Sequence, residues 1–120
     1  MLEEAKNPNT CPERLQEIWV FILNNLPDDE WKEHAKALAL NPNVSRSLFD
    51  VMSMNLARWT IHNPLLVFLI MEDPNLRWLS PTSVYSLWLE AKVQDIGTLV
   101  PILRRIFLKP YRSGEHFITF

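Results

Sequence analysis

The chain predicts an all-α fold, and three observations carry that prediction. Nine prolines stand beside only two glycines, with no Asn-Gly or Asp-Gly pair anywhere in 120 residues. A helix can begin on proline because its first position has no intrahelical use for an N–H, whereas a tight hairpin needs residues that reach positive φ. Apolar residues also recur at helical spacing, as in Leu15, Ile18, Trp19, Ile22 and Leu26, and again in Leu48, Phe49, Met52 and Leu56. Finally, the boundaries of these runs are polar starters joined to prolines, such as Asn63-Pro64 and Ser80-Pro81.

The elements follow in order. Thr10 is expected to cap the first long helix, with Pro12 in its first turn and Glu13 completing a capping box. Asp28, Asp29 and Glu30 open the next helix, where the helix dipole favours negative charge, and Trp31, Ala35, Leu38 and Ala39 form its buried side. Pro42 ends it, because the residue before a proline is pushed out of the α region. From Ser45 a third helix carries Leu48, Phe49, Met52 and Leu56, followed by a short helical piece around "LARWTIH". Asn63 is the expected N-cap of a helix whose first residue is Pro64. Its run "LLVFLIM" is apolar all round and reads as a helix buried on most sides, although its composition also suits a strand. Ser80-Pro81 then starts a helix with Val84, Leu87, Trp88 and Ala91 inward, which Gly97 is expected to close. The last helix, Leu99 to Leu108, accepts Pro101 in its first turn and places Leu99, Ile102, Leu103 and Ile106 on one face.

Asn-Pro corners occur at residues 7, 41 and 63, spaced by 34 and then 22 residues. Each is preceded by a short helical piece and followed by a helix, the mark of an internal repeat that must stack on its neighbours to bury its apolar face. In this scheme Leu15 and Leu48 hold the same place after their corners. The segments "NPNTCPERLQEI" and "NPNVSRSLFDVM", together with "DPNLRWL", resemble the leucine-rich repeat variant family over roughly residues 5–80. That resemblance implies repeats pairing a short 3₁₀ or helical piece with an α-helix, wound into a right-handed superhelix. The expected architecture is a small right-handed stack of short helices, an irregular α-solenoid. Residues 1–108 form its single domain and residues 109–120 a C-terminal tail.

Composition narrows the functional classes. Apolar residues make up 48% and charged residues 22%, a globular balance rather than a disordered one. The longest apolar run, Leu65 to Met71, falls far short of the ~20 residues that cross a bilayer. With no basic region and apolar stretch at its start, the chain is expected in the cytoplasm. Cys11 is the only cysteine, so no internal disulfide or multi-thiolate metal site can form, and a small buried thiol is expected. The net charge of −2 recruits no nucleic acid by itself. Charge is unequally divided: residues 1–60 hold six Lys or Arg against nine Asp or Glu, a net of −3, and residues 61–120 hold six against five, a net of +1.

Catalysis needs a nucleophile with a base, paired carboxylates, or converging metal ligands. The pair Glu30 and His34 reads as an acid-rich helix start with a solvated histidine, His62 as a partly buried capping residue, and His116 as a lone tail residue. Gly-rich phosphate loops, His-Glu-x-x-His and Gly-x-Ser-x-Gly are missing from the sequence. No enzyme, cofactor or metal is therefore expected. The five tryptophans, Trp19, Trp31, Trp59, Trp78 and Trp88, read chiefly as packing between repeats. Should Trp59 or Trp78 reach the surface, the pairs Arg58–Trp59 and Arg77–Trp78 are the best candidate hot spots for a partner. Arg104, Arg105, Lys109 and Arg112 form a basic stretch without acids. The expected function is a non-catalytic protein-interaction or scaffold module; a weak nucleic-acid binder using that stretch is the alternative.

Overall fold

In the computed structural model, which describes residues 1–108, eight helices account for all regular structure among the described residues. In chain order they are α1 (Leu2–Lys6), α2 (Pro12–Asn25), α3 (Asp28–Leu40), α4 (Arg46–Asn55), α5 (Ala57–Thr60), α6 (Pro64–Glu72), α7 (Pro81–Val93) and α8 (Leu99–Phe107). The fold is all-α, a single domain with one continuous core. The proposed tail, with Lys109, Arg112 and His116, lies outside the described residues.

What the corners do explains why the sequence repeats them. Asn41 donates both hydrogens of its side-chain amide to backbone carbonyls of the preceding corner, Ala5 at 2.8 Å and Asn7 at 3.0 Å. Asn63 does the same one level up, to Ala39 and Asn41, both at 2.9 Å. Each Oδ1 meanwhile accepts from the backbone N–H two residues on: Asn9 onto Asn7, Asn43 onto Asn41 and Leu65 onto Asn63. Asn41 is 2% exposed and Asn63 1% exposed, and a buried amide left unpaired would cost about 1–3 kcal/mol per group. Aspartate lacks the donors, serine lacks the reach, and only asparagine holds its own turn while stitching it to the turn below.

Around this ladder of amides the helices stack in two layers. α1 packs on α3, α3 on α5, and α5 on α7, while α2 lies against α3 and α4 lies against both α5 and α7. The long helices α2, α4 and α7 share one plan, with N-caps Cys11, Ser45 and Ser80 followed at matching positions by buried residues. These are Leu15, Ile18 and Ile22 in α2, Phe49, Met52 and Leu56 from α4, and Val84, Leu87 and Ala91 in α7. The register therefore equates Leu15 with Phe49, correcting the expected match to Leu48, which is buried one position earlier. The irregular spacing also has a cause. Two corners pass directly into a long helix, whereas the third inserts α6 and a second corner, Asp73-Pro74-Asn75, between Asn63 and Ser80. Asp73 repeats the turn by accepting from Asn75 N–H at 3.2 Å, but its carboxylate has no N–H to pass downward, and the ladder stops.

Four local expectations change. The N-cap of α2 is Cys11, and Thr10 instead donates its hydroxyl to the Glu4 carbonyl at 2.7 Å, fastening α1. That position leaves Cys11 exposed rather than buried. Gly97 does not close α7: Asp95, at φ 57°, turns the chain, with Asp95 N–H on Lys92 and Ile96 N–H on the Ala91 carbonyl at 2.9 Å. This is a Schellman closure, in which the half-buried Ile96 supplies the apolar contact. α6 is a helix, yet only Leu66 and Leu69 of its residues are fully buried. α8 matches its expected face, with Leu103 and Ile106 buried and Leu99 and Ile102 packed against the core.

Candidate interaction surface

α6 carries no charge before Glu72, so nothing in its sequence distinguishes a wet side from a dry one. Its place in the fold does. As an insertion at the edge of the stack it buries one side only, leaving Val67 54%, Phe68 61% and Met71 72% exposed. Their spacing places the three on a common side of the helix.

The far end of this helix is ringed by arginines. Arg46 of α4 pairs with Glu72 and holds its guanidinium 5.4 Å from the ring centre of Trp78. Arg77 pairs with Asp73 at 3.5 Å. Arg105 of α8 reaches the same loop, donating to the Pro74 carbonyl at 3.3 Å and to Asn75 Oδ1 at 3.5 Å. Burial pushes the Asp73 carboxyl upward, but the backbone N–H groups of Arg77 and Asn75 and the charge of Arg77 outweigh it and hold the group below its ordinary range. Three arginines, Arg46, Arg77 and Arg105, thus stand around Glu72, Asp73 and the loop that follows them.

The candidate residues separate into two places. Arg77, Trp78, Arg104 and Arg105 cluster near the start of α7 and the end of α8. Arg58 and Trp59 lie at the other end of α7, where the Arg58 carbonyl accepts from Gln94 Nε2 at 3.1 Å and the guanidinium sits 5.1 Å from the Trp59 ring. α7 has 13 residues, about 20 Å of helix, so these pairs do not form one site. Trp78 is stacked by Arg46, not by its neighbour Arg77. All five tryptophans are partly buried against the core, which makes packing their main task. Trp88 additionally stacks on Phe107 at 5.8 Å beside Tyr85, with the Lys92 ammonium 4.7 Å from its ring centre.

Sequence reasoning missed Val67, Phe68, Met71 and Arg46. The histidines offer little. His34 spends Nδ1–H on the Glu30 carbonyl at 2.8 Å, and His62 is exposed, its Nε2 against Gln94 Oε1, rather than partly buried at the corner. Among the described residues no three His, Cys, Asp or Glu side chains stand where they would hold a metal ion. Nor is any described helix long and apolar enough to cross a membrane. No protein-family model, curated protein or solved structure matches the chain.

Proposed function

We propose that this chain is a non-catalytic protein-interaction module of the cytoplasm, related to the leucine-rich repeat variant family, whose binding face is the outer side of α6. The observation that carries the reading is the inserted helix itself, which leaves Val67, Phe68 and Met71 in solvent beside a ring of arginines. Exposed apolar groups rimmed by charge are the usual make-up of a docking surface, with aromatic and arginine side chains supplying most of the energy. The stack beneath needs no special chemistry to present it, since repeat packing alone fixes the helix in place. Cofactors have no part in this reading. Nucleic-acid binding through Arg104, Arg105, Lys109 and Arg112 is weaker support, because Arg105 is already engaged with the Pro74–Asn75 loop.

Replacing Phe68 and Met71 together by serine tests it. The double variant is expected to keep the wild-type helical circular dichroism and urea midpoint while losing captured partner protein at least tenfold, whereas Val93→Ser, an exposed change on α7, leaves capture unchanged. Equal capture by all three proteins overturns the reading. A steep loss of binding with salt in wild type would favour the nucleic-acid alternative instead.

A further inference from the structure

A groove of about 410 Å³ opens between the α4–α5 junction and α7. Met54, Asn55 and Arg58 line one wall and Ser86, Leu89 and Glu90 the other, while α6 contributes no residue to it. Ser86 ties the walls together, its hydroxyl donating to the Met54 carbonyl at 3.4 Å. Met54 and Leu89 are exposed there. Arg58 meets no carboxylate among the described residues, its guanidinium lying over the Trp59 ring, and the Asn55 side-chain amide bonds nothing among them. Glu90 accepts from Gln94 Nε2 at 2.9 Å, which leaves its carboxylate with acceptor capacity to spare. The groove therefore offers apolar walls, an unpaired cation and a half-used acid.

The end of α8 stands next to this groove. Phe107 packs on Tyr85 and Trp88 of α7, with ring centres 5.1 and 5.8 Å apart. Tyr85 and Leu89 lie one turn apart on the same side of α7 and both are exposed, so an apolar path runs from Phe107 across Tyr85 to the groove wall. Gln94, which bonds both Glu90 and the Arg58 carbonyl, marks the far end of the groove. It comes nine residues after Tyr85, about 14 Å along the helix. Residues 109–120, "KPYRSGEHFITF", can span up to about 40 Å when extended.

We propose that residues 109–120 of this chain occupy the groove, with Tyr111 against Leu89, Phe117 against Met54, Arg112 at Glu90 and Glu115 at Arg58. Attachment carries the assignment: the segment begins just past Phe107, beside the apolar path, and its reach exceeds the span that it must cover. Crossing from α8, it meets α7 before the α4–α5 wall. In its sequence Arg112 precedes Glu115, the order in which Glu90 of α7 and Arg58 of α5 are reached. So short a link also gives an effective concentration on the order of millimolar, and contacts too weak to hold a separate peptide are then sufficient. The groove is thereby closed to other chains until residues 109–120 leave it. None of this depends on the α6 docking face.

Photo-cross-linking of the full chain tests this, with p-benzoylphenylalanine in place of Phe117 and the products mapped by peptide mass spectrometry. Adducts are expected within one molecule, on residues 54–58 or 86–90. Arg58→Glu and Glu115→Arg, each first checked for wild-type circular dichroism, are expected to lower that yield roughly two- to fivefold, the worth of an exposed ion pair, and the two together to restore it. Adducts on Val67 to Met71 overturn the proposal by assigning the segment to α6. Adducts between copies, an even spread over the surface or no adduct at all overturn it as well. A double charge reversal that fails to restore the yield overturns the pairing of Glu115 with Arg58, and with it the placement. Partner capture by the Phe68 and Met71 serine variant is read separately, so a failure here leaves the α6 reading standing.

Discussion

Asn63 performs two tasks with one side chain, and they can be separated experimentally. Its Oδ1 caps α6 by accepting from Leu65 N–H, and its Nδ2 binds the Ala39 and Asn41 carbonyls. Asn63→Asp keeps the cap and removes both donors, placing a carboxylate against two carbonyls. By cap logic alone this is a mild change. With the ladder it is expected to cost about 2–4 kcal/mol, at least as much as Asn63→Ala, read from urea unfolding. A midpoint unchanged from wild type would show that the rungs carry no stability. Asp73 allows a pH test of the opposite kind. Its folded pKa lies below the ordinary value, so its contribution is present above the unfolded pKa, about 3.9, and is lost as pH falls through the folded one. Below about pH 4 the stability of wild type should therefore fall more steeply than that of Asp73→Asn. Glu4 has the same sign, held low by its hydrogen bonds from Arg14.

Among elements, α6 shows how far sequence reading reaches. Helices α4 and α7 were legible because their caps and apolar spacing agree: Ser45 and Ser80 accept from Leu48 and Ser83 N–H as their position implies. The existence of α6 was legible for the same reason, through Asn63 and Pro64. Its orientation was not, because a helix with no polar residue before Glu72 has no sequence signal for which side faces water. The candidate site was therefore only half legible: arginines can be seen in a sequence, but an exposed Phe68 looks like any core phenylalanine until the fold places it. Leu69→Ala is expected to cost about 2–5 kcal/mol, while Phe68→Ala stays within about 0.5 kcal/mol. Comparable losses at both positions would mean that α6 is enclosed on both sides.

For the molecule as a whole, α8 is the element that covers α7. It packs on α7 and buries Leu103 and Ile106, with Arg104 exposed and Arg105 reaching to the Pro74–Asn75 loop. A chain ending at Thr98 leaves the α7 face uncovered and is expected to unfold without a cooperative transition and to bind an apolar dye. One ending at Leu108 keeps α8 and is expected to melt cooperatively. Cooperative melting of the shorter chain at the wild-type temperature would show that α8 is an appendage.

The asparagine ladder also bears on how the protein ages. Asparagine deamidates when the next residue's backbone nitrogen attacks the side-chain amide, and proline has no N–H with which to do so. Asn7, Asn41 and Asn63 are each followed by proline. Asn41 and Asn63, whose conversion to aspartate would cut the ladder, are therefore among the asparagines that cyclise least readily. Prolonged mildly alkaline incubation should therefore leave these three intact by peptide mass spectrometry while exposed sites such as Asn24 gain the mass of an acid, so that the fold outlasts chemical wear on its surface.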